Sequence, residues 1–240
     1  MTVNKKVVAL AGSPRRRSFT EKILNLFLSG MDPAACKKYY PHRMAIEYCR
    51  GCMACWFKTP GQCTIKDEMT AYLKTEIETA DVVILASPVY VDGFSAQLKT
   101  VLDRCFALLD PLLVLDEKGR CRHQRFKPRT QAAVLVSTCG FSEKKNFEPL
   151  RRHFAAVCQN LNWQNAGEIL IPAGALGFIA GAYDEKYKAV QKAGREFAEK
   201  GAVSAQTMQV ISKETMAAAE YKTMVNRFFE KRKRREDDEP

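Results

Sequence analysis

Cysteine offers the first chemistry, because four of the nine lie in one stretch: Cys49-Arg-Gly-Cys52-Met-Ala-Cys55-Trp-Phe-Lys-Thr-Pro-Gly-Gln-Cys63, spaced C-x2-C-x2-C-x7-C. Thiolates held this close can wrap a soft metal, and an iron–sulfur cluster is usually ligated by four of them. Ligand type and spacing leave three readings open. Cys49, Cys52, Cys55 and Cys63 could hold a [4Fe–4S] cluster, hold no metal, or hold zinc, although C-x2-C-x2-C crowds three ligands onto one short turn. Trp56, Pro60 and Gly61 suit a cluster loop or a plain loop covering a cofactor. Cys36, Cys105 and Cys158 fall in or near helical patterns and read as small buried hydrophobes. His42, His123 and His153 share no metal-ligand spacing.

A second chemistry lies in Gly12-Ser-Pro-Arg-Arg-Arg-Ser-Phe-Thr20, between the apolar run Val7–Ala11 and a helical pattern with Ile23, Leu24, Phe27 and Leu28. A strand, a glycine turn and a helix N-terminus present free N–H groups and the positive end of a helix dipole to an anion. Ser18-x-x-Glu21 also fits a capping box. That box explains Ser18 and Glu21 but not Ser13, Thr20 and three arginines beside them. The loop lacks the second and third glycines of a dinucleotide fingerprint and the Gly-Lys-Ser/Thr of a Walker loop. It suits one terminal phosphate, as in flavin mononucleotide.

The elements that position these residues read as an alternation of strands and helices. Val7–Ala11, Asp81–Ala86, Gln131–Ser137 and Glu168–Ile171 are short apolar runs of the kind buried on both faces of a parallel sheet, and Arg43–Tyr48 is expected as the second strand. Helices are expected after the first strand, from about 67 to 79, across Leu98 to Leu109, from 146 to 161, and around Tyr187 to Ala198. This predicts an α/β fold with a doubly wound, five-stranded parallel sheet. Ligands of such sheets sit beyond the carboxyl ends of the strands. Three loops there are candidates: Ser13 to Thr20; Ser87 to Asp92, with Ser87, Pro88, Val89 and Tyr90; and Thr138 to Phe141, with Thr138, Cys139, Gly140 and Phe141. A planar cofactor with a phosphate tail suits all three. The segment 110–129 is basic and without clear period, and reads as a long loop. A last helix from about Lys213, striped with Ala217, Tyr221, Met224, Val225 and Phe228, is expected to pack on its own domain or, the favoured reading, on a second subunit.

Composition bounds the rest. The 240 residues are 46% hydrophobic and 27% charged, as in an ordinary globular chain, and no run of apolar residues is long enough to cross a membrane. The N-terminus reaches Gly12 too soon for a signal peptide's apolar core. Nine cysteines without such a signal argue for a reducing compartment, the cytoplasm. The net charge of +11 includes Lys231–Arg235, partly balanced by Glu236, Asp237, Asp238 and Glu239. That run reads as a solvated helix end rather than a nucleic-acid grip.

At its motifs the chain resembles the flavodoxin-like NAD(P)H-dependent FMN reductases, including the iron–sulfur flavoproteins. Gly12-Ser-Pro-Arg15 with Ser18 and Thr20, Ser87-Pro-Val-Tyr90, Leu98-Lys-x3-Asp-Arg104, Ser137-Thr-Cys-Gly-Phe141, and Cys52 to Cys63 followed by Ile65-Lys-Asp67 carry the resemblance, over about residues 5–175. It implies FMN, with Ser13, Arg15, Ser18 and Thr20 at the phosphate and Pro88, Val89, Tyr90, Thr138, Cys139, Gly140 and Phe141 around the ring. The chain departs from many relatives at Ser18-Phe19-Thr20, where they have Gly-Asn-Thr, and at Asp67-Glu68.

The implied organisation is a flavodoxin-like FMN-binding domain over 1–205, with a cysteine-rich loop at 49–63 and a basic insertion at 110–130, then a helical extension with a charged tail over 206–240. The implied activity passes electrons from NAD(P)H through flavin to a quinone, a nitro or azo compound, free flavin or an adjacent [4Fe–4S] cluster. The alternative is an iron–sulfur flavoprotein carrying electrons between redox proteins. Expected partners are a small-molecule acceptor or a redox protein, with a homodimer or homotetramer as the assembly. Arg120, Arg122, Arg125 and Arg129 are expected to attract the nicotinamide cofactor's phosphates, on charge alone.

Overall fold

A computed structural model describes residues 5–31 and 36–237, with side chains as far as Arg234. In chain order the elements are β1 (Val7–Ala11), α1 (Phe19–Gly30), β2 (Cys36–Tyr39), α2 (Ala54–Phe57), a π-helical turn (Met69–Leu73) continuing into α3 (Lys74–Thr79), β3 (Val82–Pro88), α4 (Ala96–Arg104), β4 (Leu109–Leu115), β5 (Cys121–Arg125), β6 (Gln131–Thr138), α5 (Glu148–Asn160), β7 (Trp163–Ile171), α6 (Asp184–Lys200), α7 (Ala205–Ser212) and α8 (Ala218–Asp237). Five strands form one sheet in the order β2-β1-β3-β6-β7, every pair parallel. This is the expected flavodoxin-like winding. Strand order reverses between β1 and β3, which makes their carboxyl ends the switch point.

β1 and β3 are buried along their whole length, so alternate side chains feed two different cores. Val7, Ala9 and Ala11 join α1 and α6 on one face, while Val8 and Leu10 join α3, α4 and α5 on the other. The expected second strand is corrected. β2 is Cys36–Tyr39, paired with β1 from Val7↔Cys36 to Leu10↔Tyr39, and 44–51 has no regular structure. An edge strand has one neighbour and tolerates lysines such as Lys37 and Lys38, which hides it from an apolar-run search. Met44 and Ile46 instead pack on the α3/α4 core from an extended segment tied down at Ala45 and Glu47 by the carboxylates of Glu68 and Asp67.

The expected loop at 110–129 is also corrected. It holds an antiparallel hairpin of β4 and β5, and Leu112, Leu113 and Leu115 are exposed on it. The C-terminal region is two helices rather than one. α7 lies against α6, where the buried ammonium of Lys186 donates to the Ile211 carbonyl at 2.8 Å and to that of Lys213. α8 packs on its own chain through Tyr221 and leaves Phe228 and Phe229 exposed. Asp238 and Glu239 of the charged tail lie outside the described residues. Among the described residues, no helix is long and apolar enough to cross a membrane.

α1 and α6 touch through glycines. A Cβ on Gly194 would stand 2.0 Å from the Phe27 carbonyl oxygen, and one on Gly30 would stand 2.0 Å from that of Gln191. Backbone cannot yield as a flexible side chain would, so Gly194→Ala is expected to force the helices apart. Overpacking of this kind costs about 1–3 kcal/mol. For a chain of this size the melting midpoint should fall by roughly 3–10 °C, measured by circular dichroism. An unchanged midpoint would mean that the helices do not approach this closely.

Candidate functional site at the carboxyl edge of the sheet

Three loops leave the sheet at this edge, and hydrogen bonds join them. The Gly12 amide donates to the Ala86 carbonyl at 2.7 Å, carrying the β1 turn onto β3. Ser95, the N-cap of α4, donates from Oγ to the Gly12 carbonyl at 2.6 Å and from its amide to Ser87 Oγ at 3.0 Å. The Val89 amide donates to the Thr138 carbonyl at 2.9 Å, and Ser137 Oγ donates to the Ser87 carbonyl at 2.7 Å. Thr20 and Thr138 share a hydrogen bond at 2.6 Å between their buried hydroxyls, which closes the circuit from α1 to β6. Ala11, Ser13, Thr20, Glu21, Tyr40 and Ala86 line a small concavity beside it.

In the first loop Ser13, Ser18 and Thr20 are buried polar residues, whereas Arg15 is exposed. Ser18 caps α1 by accepting from the Glu21 amide at 3.1 Å, leaving its own O–H free to donate. Glu21 is turned away from the cap and accepts from Tyr40 Oη at 2.7 Å. The amides of Phe19 and Thr20, in the first turn, have no acceptor within the helix. In the second loop the Ser87 hydroxyl is turned inward and donates to the Pro88 carbonyl at 2.8 Å. Pro88 is buried, Val89 half-buried and Tyr90 exposed. The chain then reverses through Val91 (φ +44°) and Asp92 (φ +62°), closed by paired Tyr90–Gly93 backbone bonds. A β-branched residue at positive φ is strained, and such strain gathers at functional loops.

In the third loop the Cys139 thiol is buried and accepts from the Phe141 amide at 3.4 Å. Burial pushes its pKa up, so it stands as a neutral thiol rather than a reactive thiolate. Gly140 and Phe141 are exposed, and the Gly140 carbonyl accepts from Tyr221 Oη at 2.6 Å. The structure therefore brings the three groups of sequence-derived residues to one edge. The arginines expected to attract a second cofactor are already engaged. Arg120 and Arg122 pair with Asp116, Arg129 pairs with Asp81, and Arg125 is buried against Gln131.

The cysteine stretch follows β2 and is held by packing on both sides. Trp56 stacks on Phe106 at 4.2 Å and meets the His123 ring at 4.8 Å. Gly61 faces the Phe126 ring. Burial pushes the Cys55 thiol up, and its neighbours Cys63, Cys49 and Cys52 push the same way. Among the described residues, however, no three His, Cys, Asp or Glu side chains are arranged to hold a single metal ion. Below the stretch, Asp67 and Arg104 form a buried pair, with bonds of 2.6 and 3.1 Å between the carboxylate and the guanidinium.

A family model for NADPH-dependent FMN reductases matches residues 5–162, which includes β1 through β6 and all three loops. The chain belongs to this family. An iron–sulfur flavoprotein of Archaeoglobus fulgidus is 39% identical over 101 residues, covering 41% of this chain and 44% of that protein. Another, from Methanocaldococcus jannaschii, is 36% identical over 101 residues, covering 41% of this chain and 51% of the relative. The chain thus spans about half the length of the curated relatives it matches. Among solved structures, an FMN-dependent NADH-azoreductase of Bacillus anthracis in complex with FMN aligns with TM-score 0.58 at 12% identity, over 81% of this chain and 99% of that one. An NAD(P)H:quinone oxidoreductase from Methanothermobacter marburgensis aligns with TM-score 0.54 at 16% identity, over 80% and 94%. At such identities the likeness is one of fold.

Two contributors to this cluster of loops carry little or no signal in the sequence. Ser95 carried a signal, since a serine just before an apolar helical stripe marks an N-cap. Tyr221 carried none, because it reaches Gly140 from 81 residues further along the chain.

The Asp67–Arg104 pair yields a pH prediction. Burial disfavours the Asp67 carboxylate, but Arg104 and the amides of Glu47 and Thr70 outweigh it and hold its pKa below the ordinary value. Its stabilising contribution is therefore complete above the unfolded value of about 4 and is lost as pH falls through the lower folded value. Asp67→Asn leaves the Arg104 charge buried without its counter-ion and should cost about 3–5 kcal/mol at pH 7. Urea unfolding should show the deficit narrowing at pH 3. An equal deficit at both pH values would contradict this.

Proposed function

We propose that this chain is an FMN-dependent NAD(P)H oxidoreductase. The observation that carries the reading is the hydrogen-bonded union of the loops after β1, β3 and β6 on one sheet edge. The residues suit the two ends of FMN. Free first-turn amides of α1 and the buried hydroxyls of Ser13, Ser18 and Thr20 offer donors to a phosphate, and Arg15 stands outside them as a counter-charge. Pro88, Val89, Tyr90, Thr138, Cys139, Gly140 and Phe141 would border the ring, with Tyr90 and Phe141 presenting aromatic surface. Ser87 acts through the loop, holding Pro88 and Ser95 in place.

Bound FMN supplies the capacity to take a hydride from a reduced nicotinamide and pass electrons on. The protein's share is positioning, since no side chain at this edge is set up as an acid or base. The acceptors that suit an exposed ring are a quinone, a nitro or azo compound, or free flavin, and the setting proposed is the cytoplasm. A second reading is favoured by the four-thiol stretch and by the curated relatives called iron–sulfur flavoproteins. On it, the chain carries electrons between redox proteins, with a [4Fe–4S] cluster on Cys49, Cys52, Cys55 and Cys63.

Purified protein should release FMN on heating, and anaerobic NADPH or NADH should bleach its absorbance rapidly. Slow bleaching with both donors, against rapid reduction by a redox protein, would favour the carrier. Thr20→Val keeps the shape but removes the hydroxyl. A hydrogen bond to a charged group is worth about 1.5–3 kcal/mol, so FMN should bind roughly 10–100-fold more weakly, by fluorescence titration. Protein that binds no FMN would end the proposal.

A further inference from the structure

The capping box at the start of α1 is only half made. Ser18 Oγ accepts from the Glu21 amide at 3.1 Å, as such a box requires. Its other half would bring the Glu21 carboxylate back over the helix end to the Ser18 amide. The carboxylate instead accepts from Tyr40 Oη at 2.7 Å. Tyr40 follows β2 directly, and its ring is fixed by the Arg43 guanidinium at 4.6 Å and the His42 ring at 6.0 Å. Lys38 Nζ stands 3.8 Å from the same carboxylate, a partly exposed pair of the kind worth little, so the phenol does the holding.

A closed box would place a negative charge at the N-terminus of α1, where the helix dipole favours one. Held open, that end faces a small concavity lined by Ser13, Thr20, Glu21 and Tyr40. Ser13 is only 6% exposed there. Its Oγ accepts from the Arg15 amide at 3.4 Å, and its O–H has no acceptor among the described residues. A buried donor to spare, beside first-turn amides, suits a phosphate monoester. A carboxylate and a phosphate cannot share one helix end, because like charges at contact repel.

We propose that Tyr40 is a positioning residue for the phosphate end of FMN. Its phenol holds the Glu21 carboxylate out of the capping box and keeps the N-terminus of α1 open to the phosphate. This rests on the reading that FMN binds at this sheet edge. A Tyr40 that merely tied β2 to α1 would matter to stability, but it would not tell a phosphorylated flavin from an unphosphorylated one.

The test titrates the full chain with FMN and with riboflavin, followed by fluorescence, as wild type, Tyr40→Phe, Glu21→Ala and the double variant. Circular dichroism establishes folding. Tyr40→Phe keeps the ring and releases the carboxylate to close the box. Closure lowers the fraction of chains open to phosphate, so FMN should bind roughly 3–10-fold more weakly, with riboflavin unchanged. Alanine has no carboxylate to swing, so Glu21→Ala, alone or with Tyr40→Phe, should bind FMN at least as tightly as wild type. Tyr40→Phe that binds FMN normally, or loses both flavins alike, would overturn the inference, as would a double variant that stays weak. Should Tyr40→Phe not fold, Glu21→Ala still decides: weaker FMN binding there overturns the inference. Wild type that binds both flavins equally would overturn it and leave the flavin reading standing. Wild type that binds neither would overturn both.

Discussion

The turn after β1 lies flat on β3 because Gly12 has no side chain. A Cβ there would stand 2.9 Å from Leu98 Cβ, 3.0 Å from the Ala86 oxygen and 3.0 Å from Ser95 Oγ. Each of those atoms has work at the site. Ala86 accepts from the Gly12 amide, Ser95 caps α4 and donates to the Gly12 carbonyl, and Leu98 belongs to the core beneath. With the turn held down, α1 begins at the height of the β3 and β6 loops, and the Thr20 hydroxyl meets that of Thr138. Anything that lifts the turn moves the start of α1 away from the loops after β3 and β6. The concave edge is thus a product of close backbone packing more than of any one polar residue.

The cysteine stretch is held differently. It has almost no regular structure, with only the short α2 between Cys52 and Cys63. Its order comes from Trp56 clamped against Phe106 and His123 on one side and from the Asp67–Arg104 pair on the other. A loop pinned at its flanks keeps its thiols near one another without requiring them to touch. Among the described residues no three such side chains are arranged to hold a metal ion, although Cys55 lies near enough to Cys63, Cys49 and Cys52 to be affected by them.

What could be read in the sequence follows from burial. β1, β3 and β6 stand between two helical layers, so their apolar runs are continuous and visible, as are the serines that follow the first of them. β2 is hidden in the sequence because an edge strand with two lysines has no apolar signature, while the alternation in 43–48 belongs to an extended segment packed on the core. The β4–β5 hairpin carries no strand signal because its leucines face outward and are exposed. Spacing set the donors at Cys49 to Cys63 but not their occupant, since one thiol pattern serves several guests. The pairing of Asp67 with Arg104 joins residues 37 apart and has no local signal.

Tyr221 touches the third loop from α8, a helix whose later turns stand clear of the domain with Phe228 and Phe229 uncovered. That single phenol is a mechanical tie between the outside of the molecule and the loop after β6. A body that settles on α8 and nudges its first turn would tug the Gly140 carbonyl, and a ligand that reshapes the Gly140 loop would tug back. Linkage makes the two effects equal in free energy. What rests on α8 and what rests against the Gly140 loop would then be read from one another, through one hydroxyl.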